Sequence, residues 1–240
     1  RIEALEQLRE ALNLESLPLR IECFDVSNTQ GREIVASMAV VVDGQPRPAL
    51  YRSFTIRDLE GQDDFAAINQ AVGRRFARLR DAKEPARHDE SFAATPTLVV
   101  IDGGKGQLAA ALAAIRATAD LPRLAVVALA KREEEVFVPG LAAPVRLDPH
   151  DPALQLLQRV RDEAHRFALG HHRRRRATRT FASIFDELDG IGPTRRTAIL
   201  RHFGSAERFL AASREELEGV PGLPAKTARA VYAQLHRTAG

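Results

Sequence analysis

Three β-rich runs joined by short connections restrict the folds that this chain can adopt. The runs cover residues 19–27, 34–43 and 47–56. Asp43-Gly44, between the second and third runs, is a strong signal for a tight hairpin turn. Because short connections join neighbouring antiparallel strands, the three runs predict an antiparallel meander.

The remaining pattern predicts alternating helices and strands around this meander. The predicted elements are a helix over 1–14, a helix over 63–82, a loop over 83–95, a strand over 97–102, a helix over 105–118, a strand over 124–130, a hairpin over 133–147 and a helix from 151 to about 175. A strand–helix–strand order implies a parallel crossover. The whole order is that of an α/β ribonuclease H-like fold, a mixed sheet with flanking helices, over residues 1–176.

The C-terminal part contains an internal near-repeat. Residues 176–181 predict a polar linker, and beyond it residues 188–193 match residues 220–225. Each match is followed by a predicted helix, over 194–202 and over 226–236. Each unit resembles a helix-hairpin-helix, and a unit this small cannot bury its apolar face alone. We therefore predict one small all-α tandem helix-hairpin-helix domain over 182–240.

Two aspartates lie in apolar runs that are predicted to be strands. Asp25 lies inside residues 19–27, and Asp102 ends residues 98–102. An acid in such a run is costly to desolvate unless it is paired, hydrogen-bonded or bound to a cation. Neighbouring strands would bring the two together, and paired carboxylates suit Mg²⁺ or Mn²⁺. The sequence therefore predicts a divalent-metal site at Asp25 and Asp102.

Each aspartate also has an ordinary structural explanation. Asp25 alone could be a strand-edge acid that pairs with a nearby arginine. Asp102 alone could be a turn or N-cap residue before the glycine pair that follows it. The order of the predicted elements favours the metal interpretation of the two together.

The loop after Asp102 superficially resembles a nucleotide phosphate loop. Gly103-Gly104-Lys105-Gly106 lacks the required spacing, and Gln107 stands where a serine or threonine would follow the lysine. A nucleotide-binding loop is therefore disfavoured. We expect Lys105 to neutralise a scissile phosphate instead.

The helix after residue 151 carries a candidate third site residue. His165 has a side-chain pKa near neutrality, so it can serve as a metal ligand or as a general acid–base group. A lone helical histidine is often structural, and Asp162 and Glu163 compete for the same role. We expect His165 to complete the site.

Charge is unevenly distributed along the chain. Residues 156–240 hold 16 Lys and Arg against 9 Asp and Glu, a net charge of +7, whereas residues 1–155 carry −4. This asymmetry indicates a polyanion-binding C-terminal part, although a solvated basic helix would give the same count. His171-His172 followed by Arg173, Arg174, Arg175 and Arg176 favours a phosphate-contacting surface over a metal site.

The two hairpins predict further backbone-phosphate contacts. Gly190 and Gly192 allow backbone N–H groups to approach a phosphate at the start of the next helix. In the second hairpin Pro224 replaces Gly192 and has no N–H to donate. The expected DNA-binding residues of the hairpins are Gly190, Gly192, Arg195, Arg196, Gly222 and Lys226. Packing between proteins is the alternative use of such a unit.

Composition excludes several other classes of protein. The single cysteine, Cys23, excludes an internal disulfide and a cysteine-rich zinc site, and it favours a cytoplasmic setting. No apolar run approaches the roughly 20 residues of a membrane span, and no signal peptide is evident. The chain begins at Arg1 in a helical pattern, so we expect it to be part of a longer protein.

Three motifs in this order resemble the C-terminal half of the UvrC family of nucleotide-excision-repair endonuclease subunits. The matching stretches are residues 24–31 (FDVSNTQG), residues 101–108 (IDGGKGQL), and residues 159–168 (RVRDEAHRFA) with His171-His172-Arg173. The tandem hairpins complete the resemblance, which covers essentially the whole chain.

The resemblance implies cleavage of damaged double-stranded DNA on the 5′ side of a lesion. It implies UvrB as a partner, with UvrA acting upstream. Catalytic positions of the family carry over onto Asp25, Asp102 and His165, and a further acid carries over onto Asp64. Asn28 stands where the family often has histidine, which puts only that auxiliary role in doubt. The family's N-terminal nuclease domain and UvrB-binding segment have no match here.

Two other functions remain open from the sequence. A non-catalytic DNA-binding module would use the aspartates only for stability. An RNA-strand nuclease of the ribonuclease H type would prefer RNA–DNA hybrids, and the helix-hairpin-helix pair argues against it.

Overall fold

The computed structural model describes residues 2–29, 33–59, 61, 63–82, 89–131 and 134–237. Side chains of residues 29, 171–179 and 237 lie outside this description. The chain divides into two compact units, residues 1–169 and residues 170–240. No helix in the described residues is long and apolar enough to span a membrane.

The first unit alternates helices and strands in the predicted order. Its helices are α1 (Ile2–Ala11), α2 (Asp64–Asp81), α3 (Glu90–Ala93), α4 (Lys105–Thr118) and the first part of α5 (Pro152–Asp186). Its strands are β1 (Arg20–Thr29), β2 (Glu33–Val42), β3 (Gln45–Pro46), β4 (Arg52–Thr55), β5 (Leu98–Asp102), β6 (Ala125–Ala130) and β7 (Glu135–Phe137).

These strands form one mixed sheet. Its order is β3-β2-β1-β5-β6-β7, and β4 pairs with β2 beyond the short β3. β1 and β2 are antiparallel, whereas β1, β5 and β6 are mutually parallel. Asp43 and Gly44 both have positive φ, as a tight hairpin turn requires. The predicted meander, crossover and mixed sheet are therefore confirmed.

Two predicted elements differ in detail. Residues 47–56 do not form one strand, because a 3₁₀ turn at Pro48–Leu50 separates β3 from β4. Proline at the first position of that turn has no N–H for a ladder bond, which favours the break. The predicted loop over 83–95 contains the short helix α3, capped by the Asp89 side chain.

The two faces of the central strand β1 have different chemistry. Ile21 and Cys23 are fully buried on the face that carries Asp25. The opposite face carries Glu22, which accepts hydrogen bonds from Arg75 of α2. Helix α2 therefore covers one face of the sheet, and α5, whose His165 contacts Asp25, covers the other.

The second unit is built around a cluster of aromatic side chains. Its helices after α5 are α6 (Pro193–Phe203), α7 (Ala206–Leu210), α8 (Arg214–Glu218) and α9 (Ala225–Arg237). Phe181, Phe185 and Phe209 are buried with ring centroids 5.6–5.9 Å apart. This shared core explains why two small hairpins form one unit, as predicted.

The predicted linker over 176–181 is wrong. These residues lie inside α5, which continues from Pro152 to Asp186 and supplies the first helix of the first hairpin. Polar composition alone does not end a helix, and this stretch contains neither proline nor glycine to do so. The exact domain limits of 1–176 and 182–240 stay a prediction.

Candidate metal centre

Strand register places the two predicted aspartates side by side. Phe24 of β1 pairs with Ile101 of the parallel strand β5. The next residues along these strands are Asp25 and Asp102, at the carboxyl end of the parallel part of the sheet. Both side chains are almost fully buried, with 4% and 1% exposure. The sequence prediction that neighbouring strands join these acids therefore holds in the structure.

Helix α5 brings His165 to the same point. The helix begins beside Asp151, whose carboxylate accepts from the backbone N–H of Ala153. Val160 and Ala164 are buried, which turns His165 toward the end of the sheet. Its Nδ1 lies 3.1 Å from Asp25 Oδ2, and the imidazole is half-exposed. His165 thus forms the open side of the site.

The three residues fit a divalent cation. Each offers one ligand atom, and these atoms lie within 4.8 Å of one another. Both carboxylate oxygens of Asp102 are buried and neither accepts an aligned hydrogen bond from the described residues. A buried carboxylate with unused lone pairs is costly, and a bound cation removes that cost. Carboxylate oxygens with an imidazole nitrogen are a donor set suited to metals such as Mn²⁺.

The sequence analysis missed Lys131, which also reaches the site. Its Nζ lies 3.0 Å from Asp102 Oδ2. Burial raises the pKa of Asp102, the contact with Lys131 opposes this, and the charge of Asp25 adds to the rise. Burial lowers the pKa of Lys131, but its contact with Asp102 and the charges of both aspartates raise it above its ordinary value. The strand register could have indicated this contact, because Asp102 pairs with Leu129 and Lys131 follows two residues later.

Asp64 and Lys105 lie outside this cluster in the described structure. Asp64 is the first residue of α2 and is exposed, while the neighbouring Asp63 caps the helix by accepting from Ala66 N–H. Lys105 is the exposed first residue of α4. The roles predicted for Asp64 and Lys105 stay predictions.

The glycine-rich loop between β5 and α4 leads into the N-terminus of α4 and does not form a nucleotide-binding loop. Gly104 is the N-cap of α4, and its backbone N–H donates to Gln107 Oε1 at 3.0 Å. Asp102 is therefore not the N-cap of α4, which was one of the two structural explanations raised from the sequence. A Cβ on Gly103 would lie 2.9 Å from the Gln107 side chain, so a larger residue there would displace the side chain that caps Gly104.

The carboxylates that competed with His165 have other partners. Asp162 is exposed and lies 3.4 Å from Arg161. Glu163 accepts from Tyr51 Oη at 2.6 Å and pairs with Arg166 at 2.6 Å. These contacts, led by that with Arg166, lower the pKa of Glu163. Both acids are thus committed outside the group formed by His165 and the aspartates.

The two hairpins of the second unit have matching backbones. Gly190 and Gly222 occupy equivalent positions with φ values of +79° and +82°, in the left-handed region that favours glycine. Gly192 is the N-cap of α6, and Pro224 precedes α9 at the equivalent position. The near-repeat predicted from the sequence is therefore also a repeat in the structure, and the same residues are equivalent in both.

The arginines of the first hairpin also hold its loop in place. Arg195 donates to Gly190 O at 2.7 Å, and Arg196 donates to Ile191 O and pairs with Asp186. Lys226 of the second hairpin is exposed. The DNA-binding roles of these residues stay predictions, as do those of Arg173, Arg174, Arg175 and Arg176, whose side chains lie outside the described part.

Comparison with known proteins identifies the class and then the family. Paired acids at the ends of parallel strands, followed by a helix-hairpin-helix tandem, are typical of a DNA-processing nuclease. The family model described as the UvrC RNase H endonuclease domain matches residues 9–169. A second model, a SAM-like helix-hairpin-helix tandem, matches residues 182–237. The chain belongs to the UvrC family, which confirms the predicted family and fold.

Curated relatives carry the same name in several bacteria. UvrABC system protein C of Parafrankia sp. is 48% identical and that of Thermobifida fusca is 45% identical, each over 100% of this chain. The chain spans only 38% and 39% of the length of these two relatives. A solved Ciona intestinalis endonuclease V in complex with a 24mer DNA matches with a TM-score of 0.34 and 16% identity, over 59% of each chain.

Proposed function

We propose that this chain hydrolyses a DNA phosphodiester on the 5′ side of a lesion, with Mg²⁺ or Mn²⁺ held by Asp25, Asp102 and His165. The observation that carries the proposal is the juxtaposition of two almost fully buried carboxylates with the His165 imidazole, whose ligand atoms lie within 4.8 Å of one another. Membership of the UvrC family supports the same reaction class. When bound, the ion activates water and stabilises charge that develops on the phosphate.

The residues of the proposed site have different roles. In the tautomer whose Nδ1–H donates to Asp25 Oδ2, the lone pair of the His165 imidazole lies on Nε2. Because the imidazole is half-exposed, Nε2 can bind an ion or move a proton at the rim of the site. Asp102 would supply a carboxylate oxygen from the buried side of the site, where its Oδ2 also contacts Lys131.

DNA binding in this proposal is sequence-independent. Backbone N–H groups at Gly190 and Gly222 and the cations Arg195, Arg196 and Lys226 would contact phosphates, as would Lys105 near the site. The basic run Arg173–Arg176 would add to this footprint. Such contacts position the duplex without reading its bases, and they weaken as salt rises.

The proposed partners are damaged double-stranded DNA and UvrB, with UvrA acting earlier. The relatives' name, UvrABC system protein C, supports assembly with other Uvr proteins. We infer a cytoplasmic setting, since Cys23 is fully buried in β1 and unpaired, as in reducing compartments.

The test is nicking of lesion-containing duplex DNA in Mg²⁺ or Mn²⁺, with UvrB present, by this chain and by Asp102→Asn. Cutting on the 5′ side that requires metal and is lost in Asp102→Asn supports the proposal. Asp120→Asn, a change of an exposed acid two residues beyond the C-terminal end of α4, is the matched control and should cut normally. DNA binding without cutting in all three proteins would favour a binding module, and preferential cutting of an RNA–DNA hybrid would favour an RNA-strand nuclease.

A further inference from the structure

Lys131, the residue that follows β6, reaches the metal centre beside Asp102. Strand β6 lies parallel to β5, and Asp102 pairs with Leu129. Two residues further on, Lys131 emerges on the same face of the sheet. Its Nζ lies 3.0 Å from Asp102 Oδ2, the acid being 1% exposed and the lysine 59% exposed. The ammonium group therefore covers a buried carboxylate from the solvent side.

This ion pair differs from an ordinary surface pair because only one partner can be solvated. Asp102 accepts no aligned hydrogen bond from the described residues, and Asp25 lies beside it with its own carboxylate. Two neighbouring carboxylates repel each other unless a positive charge lies between or above them. Lys131 supplies that charge to Asp102, while His165 contacts Asp25.

The segment that carries Lys131 is tied to the helix that carries His165. Glu134, three residues after Lys131, pairs with Arg161 of α5 at 2.8 Å. Arg161 is one helical turn before His165, and its side chain is 13% exposed. Lys131 is thus connected through β6 and α5 to the elements that carry Asp102 and His165. The Lys131 side chain therefore belongs to the site.

We propose that Lys131 is a resident counter-cation that competes with the divalent ion for Asp102. The ammonium group neutralises Asp102 when no ion is bound, and it must release Oδ2 when an ion takes that oxygen. Lys131 thereby weakens the affinity of the centre for the ion and stabilises the ion-free fold. This proposal rests on the metal centre proposed above.

The first test measures Mn²⁺ binding without DNA, by electron paramagnetic resonance of free Mn²⁺. Lys131→Met keeps the apolar stem and removes the charge, and it should bind Mn²⁺ about tenfold more tightly than the unmodified chain. Lys131→Arg keeps the charge and should stay close to the unmodified affinity. Arg116→Met, at an exposed arginine in the last turn of α4, controls for a general loss of positive charge and should change the affinity little.

The second test is thermal unfolding with and without Mn²⁺. In chelator Lys131→Met should melt at a lower temperature than the unmodified chain, and saturating Mn²⁺ should remove most of the difference. If Lys131→Met does not fold in chelator, the Mn²⁺ concentration that restores folding gives its affinity instead.

The outcomes separate this proposal from the one on which it rests. The proposed metal centre is wrong if the unmodified chain binds no Mn²⁺. It is also wrong if Asp102→Asn binds Mn²⁺ as tightly as the unmodified chain does. If the unmodified chain binds Mn²⁺ at Asp102 but Lys131→Met binds equally or more weakly, Lys131 is not a competitor. If Arg116→Met binds Mn²⁺ more tightly to the same extent, the proposal is also overturned, because the effect would then come from the overall charge of the chain.

Discussion

Two buried acids on one strand, Glu22 and Asp25, have opposite environments. Glu22 is fully buried and accepts three hydrogen bonds, two from Arg75 and one from Arg20. Arg75 in turn donates to two backbone carbonyls, so the arginine is also satisfied. Asp25 lies on the opposite face beside Asp102, whose oxygens accept no aligned hydrogen bond from the described residues.

In the function that we propose, this difference separates a structural acid, Glu22, from a metal ligand, Asp25. Burial is the same on both faces, so burial alone does not indicate a ligand site. Arginines donate hydrogen bonds to both oxygens of Glu22, whereas the acid pair on the other face has the half-exposed His165 beside Asp25 and the exposed Lys131 beside Asp102. The feature that supports the proposed site is therefore a pair of adjacent buried carboxylates to which no arginine of the described residues donates a hydrogen bond.

The largest expected effect comes from breaking the Glu22 cluster. Arg75→Met leaves the carboxylate of Glu22 with a single ion-pair partner, so the free energy of unfolding should fall by about 3–5 kcal/mol. Urea denaturation of the metal-free chain measures this loss of stability. Arg80→Met, at an exposed position of the same helix, is the control and should cost less than about 1 kcal/mol. A small loss in Arg75→Met would show that Glu22 is not the structural acid.

The same kind of change in the metal centre should affect activity and not stability. Asp102→Asn should lower the nicking rate by about a hundredfold or more, because a ligand is lost. In chelator its free energy of unfolding should stay within about 1 kcal/mol of the unmodified chain or rise, since a charge confined by burial is removed. A large loss of stability would place Asp102 in the same structural class as Glu22.

An intermediate effect is expected at Glu163, which is hydrogen-bonded but not enclosed. Tyr51→Phe removes the hydroxyl that donates to Glu163 at 2.6 Å, while Arg166 still pairs with this acid. The free energy of unfolding should fall by about 1 kcal/mol. Tyr232→Phe is a matched change in the second unit and should be nearly neutral. Equal losses in both variants would contradict a specific role for the Tyr51 contact.

The smallest expected effect is a pH dependence of stability. Burial raises the pKa of Asp102 in the folded chain, so the folded state holds this proton more tightly than the unfolded state. The associated stability is present below the ordinary aspartate pKa of about 3.9 and is lost as pH rises through the higher folded value. In chelator, the unmodified chain should therefore lose stability relative to Asp102→Asn as pH rises through this window. A difference that is constant with pH would contradict the raised pKa.

The order of elements and the two aspartates could be predicted from sequence because each depends on local chemistry. Alternating apolar runs, Asp43-Gly44 and the glycines of the hairpins specify backbone geometry through nearby residues. The three motifs then identified the family. The end of α5 could not be predicted in this way, since packing of Phe181 and Phe185 in the second unit overrides the polar composition that suggested a linker.

The sequence by itself determined which residues could form a site, namely Asp25, Asp102 and His165, and the tertiary structure decided how each is satisfied. Glu22 occupies the same apolar run as Asp25, but the alternation of a strand sends the two to opposite faces, where different helices meet them. The lysine above Asp102 comes from a neighbouring strand 29 residues away in sequence. Such contacts depend on sheet register and helix placement, which arise only when the whole core packs.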